Sequence, residues 1–347
     1  MAYVIAEMAW SHTGSLETAL KLVRGARQAG ADAIGIHLTS LPDYMVPDYR
    51  SIAGTTLSDR DVSSPPTIYK YLEKISLSGS DWCAVVAEAR KVGIDLVTMC
   101  NDEPSFEFAE SIGAADRYVI AAACFTELDF VKRVARASKP ILLRIGGATV
   151  AEIDDVVTAI RNEGNSDLTL LLGVQTYPTD IAQTYIASIP KLRSAFGCAV
   201  GLADHIDGAL PEAITLPALA LGFGATAIEK HITTAREDKL EDFEAALGIE
   251  QFAEFVRYLR TAELALGNGE IPTDSEAATR YRMVVRKRVV AARDLPAGTV
   301  LGDNDVAFKR ADEGVPVEHL NRIIGRRLNS AVSQNAGLTP DMFASGQ

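Results

Sequence analysis

Cysteine is scarce in this 347-residue chain: Cys83, Cys100, Cys124 and Cys198 are scattered with no CxxC spacing. Neither a zinc knuckle nor a disulfide framework is indicated. No apolar run approaches the roughly 20 residues needed to span a bilayer. The opening MAYVIAEMAW has no basic stretch and no cleavage signal, so the expectation is a reduced, cytoplasmic protein without a leader or membrane segment. Positive charge is short as well: the net charge of −12 argues against nucleic acid as a partner, because neutralising phosphates needs a basic face. The first strand–helix turn, Met8 to Gly14, lacks GxGxxG, which counts against a doubly wound dinucleotide fold. Disorder is excluded by 48% hydrophobic against 23% charged residues, the balance of a chain with a large core.

What is present is alternation. Short β-branched runs and amphipathic helical stretches take turns over the first three-quarters of the chain, the pattern of parallel strands joined by helices. Strands are expected at Tyr3–Glu7, Ala33–His37, Leu96–Cys100, Arg117–Ala121, Ile141–Ile145, Leu168–Val174, Ala199–Ala203 and Ala227–Lys230. Eight such units fit a (β/α)8 TIM barrel, with an open doubly wound sheet as runner-up. Single helices are expected over Ile181–Phe196 and Pro211–Leu221. The stretch Thr39–Gly79, rich in Pro, Ser, Asp and Tyr, exceeds ordinary loop length and reads as an insertion over one barrel face. A polar linker, 267–281, follows the barrel (1–266), and short strands and turns then indicate a small β-rich domain, 282–347. From Thr279 onward 11 Lys and Arg face 7 Asp and Glu, a net +4 that leaves −16 for the rest. A basic tail and an acidic body attract each other, within or between chains.

In such a barrel the strand ends and the loops after them line the active site. Those positions hold Glu7, His12, His37, Asp102, Arg144, Gln175, Tyr177, Asp204, His205, Glu229, Lys230 and His231. Four of the five histidines fall there. His205 and His231, on adjacent strands, suit a catalytic divalent metal with open coordination positions; the competing reading is two hydrogen-bonded polar residues beneath a loop. Arg144 and His37 also carry two readings. Arg144 either pairs a substrate carboxylate or phosphate or forms an internal ion pair with Glu7 or Asp102, and His37 is an acid/base or a third ligand. Cys100 and Cys124 read as buried small residues. Trp10 and Tyr177 either floor a sugar site or pack the rim.

Ile5-Ala-Glu7, His12-Thr-Gly14, Gly201-Leu-Ala-Asp-His205 and Ile228-Glu-Lys-His231, in this order, resemble the sialic acid synthase family. Ala291-Ala-Arg-Asp-Leu-Pro-Ala-Gly298, Phe308-Lys-Arg310 and Ile324-Gly325 look like that family's antifreeze-like (SAF) domain. The resemblance implies condensation of phosphoenolpyruvate with an amino-sugar aldehyde to give a 2-keto acid. It implies Mn²⁺ or Mg²⁺ on His205 and His231, with Glu7 as the acidic residue of the first strand. Asp242 would hold sugar hydroxyls, and Arg310 would be inserted by the partner subunit of a domain-swapped homodimer. The departures fall around the phosphate. Lysines expected on strands two and four are Gly35 and Val119, a serine is Arg144, another is Ala203, and strand six reads Leu172-Gly173-Val174. Removing these groups takes away the cations and donors that a multiply charged phosphate needs. Three functions stay open: a standard synthase, a diverged carbon–carbon lyase or synthase, and a silent sugar-binding relative. The second would take a non-phosphorylated 2-keto acid, with Glu7, His12 or His37 as base and Arg144 on its carboxylate. The remaining candidate substrate contacts are Asp102, Gln175, Tyr177 and Lys230.

Overall fold

A computed structural model describes residues 1–49, 68–174 and 176–344. Its eight long strands are β1 Tyr3–Glu7, β2 Ala33–Leu38, β3 Asp95–Cys100, β4 Arg117–Ile120, β5 Ile141–Arg144, β6 Leu168–Leu172, β7 Ala199–Asp204 and β8 Ala227–Thr233. Each is hydrogen-bonded to the next in chain order and β1 closes on β8, so the sheet is the expected TIM barrel. Period-two alternation sorts the side chains. Ile5, Ala33, Val97, Val119, Leu142, Leu171, Ala203 and Ala227 meet inside the barrel. Their neighbours Val4, Ile34, Leu96, Ile120, Leu143, Leu170, Leu202 and Ile228 face outward into the layer beneath the helices.

Several boundaries differ from expectation for identifiable reasons. β8 runs on to Thr233, past the expected end at Lys230, because its last residues also pair with β9, the short strand Leu247–Gly248. The helix expected over Ile181–Phe196 is two 3₁₀ turns and a helix that begins only at Ile189, with Pro190 in its first turn. The stretch Pro211–Leu221 is likewise split, at Pro217. In both places proline lacks the N–H that a helix interior must donate but suits a first turn.

Where the insertion is described, it holds the short helices Leu41–Tyr44 and Ile68–Ile75. Leu41, Ile68, Leu72 and Ile75 make a small core of their own, with Trp10 and Met45 packed against it. Residues 50–67 of the insertion lie outside the described residues. The helix Gly79–Val92 that follows is held by a capping box in which Ser78 and Asp81 each bond the other's backbone N–H. Ser78→Ala is expected to cost about 1 kcal/mol, readable as a shift in the chemical denaturation midpoint.

The chain divides into two compact units, Met1–Gly267 and Asn268–Gln347. The stretch expected as a linker contains the start of a helix, Glu276–Val285, because Ser275 caps it by accepting from Ala278 N–H. In the second unit β10 Arg288–Ala291 runs antiparallel to β11 Val306–Lys309, over a core that includes Val289, Leu295, Leu301, Ile323, Leu328 and Leu338. Among the described residues no helix is long and apolar enough to cross a membrane.

Candidate active site

The alternation that buries Ile5, Ala33, Leu142 and Ala227 inside the barrel carries the next inward positions, at the C-terminal rim, to Glu7, Gly35, Arg144, Glu229 and His231. Register sets their heights: Glu7 lies opposite Gly35 on β2 and opposite His231 on β8, while Glu229 sits one layer deeper, opposite Ile5. Above them opens a cavity of about 370 Å³, lined on its polar side by His37, Asn101, Arg144, Tyr177, His231 and Asp242, and on its apolar side by Trp10, Tyr44, Met45, Ile68 and Leu72. This is the low end of the size range for small-molecule sites, about 300–1,000 Å³.

Arg144 sits between two carboxylates. Its Nη2 is 2.9 Å from Glu7 Oε2 and 2.8 Å from Glu229 Oε1, and all three side chains are almost fully buried. The internal ion pair weighed for Arg144 therefore exists, with Glu7 as expected and with Glu229 in place of Asp102. Burial alone lifts the Glu7 carboxyl, but His37 and Arg144 outweigh it and hold Glu7 well below the usual carboxylate range. Burial and the neighbouring Glu7 charge push Glu229 the other way, despite Arg144. Glu7 also accepts a 2.8 Å hydrogen bond from Ala9 N–H, and Ala9 takes the left-handed φ of 43°. Such strain in a non-glycine residue is common at functional turns. His37 Nε2 lies 3.3 Å from Glu7 Oε1, close enough to pair with its charge though outside hydrogen-bond geometry.

His205 and His231 lie side by side, ring centres 5.3 Å apart, with the Tyr177 ring edge-on to both at 4.7 and 5.4 Å. Burial, aided by the neighbouring imidazole and Arg144, drives His205 well below its ordinary value. Burial likewise outweighs the attraction of Glu7 and lowers His231 to about 3. Burial thus favours the neutral form of both rings, which offers lone pairs. His205 Nδ1 is 3.1 Å from the Val174 carbonyl; a carbonyl only accepts, so Nδ1 carries the proton and Nε2 the lone pair. His205 Nε2 and both nitrogens of His231 are buried without a hydrogen-bond partner. Orphaned imidazole nitrogens of this kind fit a divalent metal. No set of three or more metal-ligating side chains exists among the described residues, so a cation here would complete its shell with substrate and water. Asp242, with φ of 60°, places Oδ2 3.8 Å from His231 Nδ1 and keeps about 21% of its side chain open. Burial and the charges of Glu241 and Glu7 push its carboxyl upward.

Other sequence candidates lie elsewhere. His12 does not reach the cavity: Gly14 N–H donates to its Nδ1 and its ring packs between Trp10 and Trp82. Lys230 points outward, as alternation next to Glu229 and His231 requires. It donates to Asp204 Oδ2 at 2.6 Å and to the Ile206 carbonyl at 2.7 Å, so it braces the segment carrying His205 and does not contact the cavity. The Asp102 carboxylate accepts from Ser105 N–H and Ser40 N–H, both at 2.8 Å, as the cap of helix Glu103–Ser111, and borders an adjoining acidic groove that shares Tyr44 and Asn101 with the cavity. Arg310 is exposed on the second unit, its Nε donating to the Val284 carbonyl. Gln175 lies outside the described residues. Cys100 and Cys124 are buried and their thiols are pushed up by desolvation, Cys124 to about 12.

Two participants were underweighted by sequence reasoning. Glu229 stands two residues before His231, in the same inward phase, which was a readable signal. Gly35 looked only like an absence.

The NeuB family model matches residues 22–271 and the SAF domain model residues 286–344. The N,N'-diacetyllegionaminic acid synthase of Legionella pneumophila is 28% identical, over 97% of this chain and 92% of that protein. The pseudaminic acid synthase of Helicobacter pylori is also 28% identical, over 97% and 96% of the two chains. A solved Chromobacterium violaceum protein assigned to spore coat polysaccharide biosynthesis superposes with a TM-score of 0.74 at 26% identity, covering 99% of this chain and 100% of that one.

Proposed function

The chain belongs to the NeuB family, and from that membership we propose that it is an enzyme that forms a carbon–carbon bond between a 2-oxo acid and an amino-sugar aldehyde. The observation that carries this reading is the pair of imidazoles, His205 and His231, with unpartnered nitrogens, of which His231 lines the cavity together with His37 and Arg144. The synthases of L. pneumophila and H. pylori, similar over nearly their whole length, support the same reaction class.

A divalent cation, Mn²⁺ or Mg²⁺, on His205 and His231 would supply Lewis-acid polarisation of the aldehyde carbonyl. The rest of the chemistry belongs to the side chains. His37 takes a proton from C3 of the 2-oxo acid, and the Glu7 carboxylate beside it steadies the imidazolium. The electron pair of that C–H bond becomes the enolate, and C3 adds to the aldehyde carbon. The carbonyl pair passes to the aldehyde oxygen, which takes the proton back from His37. Nothing leaves, so the product is the sum of the two reactants. Asp242 binds sugar hydroxyls, Trp10 and Tyr177 pack the sugar, and the remaining edge of Arg144 orients the single carboxylate of the donor.

A non-phosphorylated donor is favoured because Arg144 is the one Lys or Arg lining the cavity among the described residues, and two carboxylates already flank it. The test supplies Mn²⁺, N-acetylated amino-sugar aldehydes and either pyruvate or phosphoenolpyruvate, with mass spectrometry and phosphate release as readouts. The expected result is an adduct from pyruvate whose mass is the sum of the reactants. Product from phosphoenolpyruvate alone, with phosphate released, would overturn the donor assignment. No product from either donor would overturn the reaction.

A further inference from the structure

We infer that Gly35 determines donor specificity: having no side chain, it lets Glu7 lie across Arg144 and so excludes a phosphate from the site. As a statement about the donor this rests on the function proposed above; as a statement about anion binding it stands apart from turnover.

Gly35 and Glu7 are register partners on β2 and β1. A Cβ at position 35 would fall 2.4 Å from Glu7 Oε2, 2.7 Å from its Cδ and 2.9 Å from its Oε1. Real atoms do not approach so closely. The backbone does not ask for glycine here, because Gly35 lies within an ordinary strand and has no positive φ. The space alone requires it, and that space is filled by one carboxylate. With the space available, Glu7 reaches Arg144 Nη2 and the Ala9 N–H. Glu229 closes on the same Nη2. A guanidinium that already faces two buried carboxylates has little net charge left for a dianion.

Any side chain at 35 must displace the Glu7 carboxylate. The clashing atoms are the end of a flexible side chain, so Glu7 moves and the strand does not have to. Gly35→Ala is therefore expected to stay folded, lift Glu7 off Arg144 and open one edge of the guanidinium.

The experiment is calorimetric titration of metal-free protein with inorganic phosphate, comparing wild type and Gly35→Ala. The expected gain is about tenfold in affinity, the scale of one charge-assisted hydrogen bond. Phosphate should lie within hydrogen-bond distance of Arg144 in a crystal of the variant. A folded Gly35→Ala protein that binds phosphate no more tightly than wild type overturns the inference, as does phosphate bound away from Arg144. Should Gly35→Ala not fold, Glu7→Ala removes the same obstruction and is judged by the same two results. No catalytic step enters these measurements, so a protein inert with every aldehyde would still pass or fail them.

Discussion

Replacing Arg144 with methionine is expected to lower the stability of the barrel by about 3–5 kcal/mol, the range for removing one partner from a buried ionic cluster. The guanidinium is the common counter-charge of Glu7 and Glu229, and none of the three side chains has more than a few per cent of its surface in water. Methionine fills much of the volume, so the penalty comes from stranded carboxylates and not from a cavity. In a unit of this size that loss shifts the melting midpoint by roughly 6–20 °C. A rescue separates this account from simple misfitting. Adding Glu7→Gln and Glu229→Gln to Arg144→Met removes the stranded charges and is expected to recover most of the loss, since neutral replacements of buried ion clusters are often tolerated. Chemical denaturation of wild type, single variant and triple variant checks it. A single-variant loss below about 1 kcal/mol, or a triple variant no more stable than the single, would show that the cluster does not hold the barrel mouth together.

The barrel was legible because its two periodicities are long-range and redundant: eight strands repeat one pattern, and a slip of two residues at an end leaves the order intact. The site depends on single residues, and there the reading was uneven. His205 and His231 were readable, because each ends a strand in a short distinctive motif. Lys230 points outward to Asp204 and the Ile206 carbonyl, a direction that alternation between two inward residues already implies. Asp102 had an ordinary signature too: an aspartate followed by Glu103 and Pro104 marks the cap and first turn of a helix. His12 was beyond reach. The turn after β1 bends at Ala9 and Thr13, with φ of 43° and 47°, and that bend carries the histidine back between two tryptophans. No propensity assigns positive φ to alanine and threonine. The Arg144 cluster was half visible. The sequence shows that a lone arginine at a strand end needs partners, but β5 lies across the barrel from β1 and β8, and only closure brings Glu7 and Glu229 to the same nitrogen.

Substituting His205 or His231 by alanine is expected to weaken Mn²⁺ binding by more than about 100-fold, a larger loss than the 10–100-fold typical of outer-shell groups. With only two protein imidazoles at the centre, each supplies half of what the chain offers, and water cannot replace a nitrogen donor without loss of affinity. The two variants are expected to differ in the metal-free protein. His205 gives up its bond to the Val174 carbonyl, and its loss leaves that acceptor without this donor. His231 has no hydrogen-bond partner on either nitrogen, so its removal vacates space but breaks no bond. Both variants lose buried packing, but only His205→Ala also gives up a hydrogen bond, so it should melt lower than His231→Ala when metal is absent. Tyr177, which packs against both rings, should lose support in either case, visible as a change in tyrosine fluorescence. Electron paramagnetic resonance of added Mn²⁺ measures affinity, and metal-free thermal melts measure the rest. Wild-type Mn²⁺ affinity in both single variants would remove the metal from the proposed mechanism and leave His205 and His231 as packing partners of Tyr177.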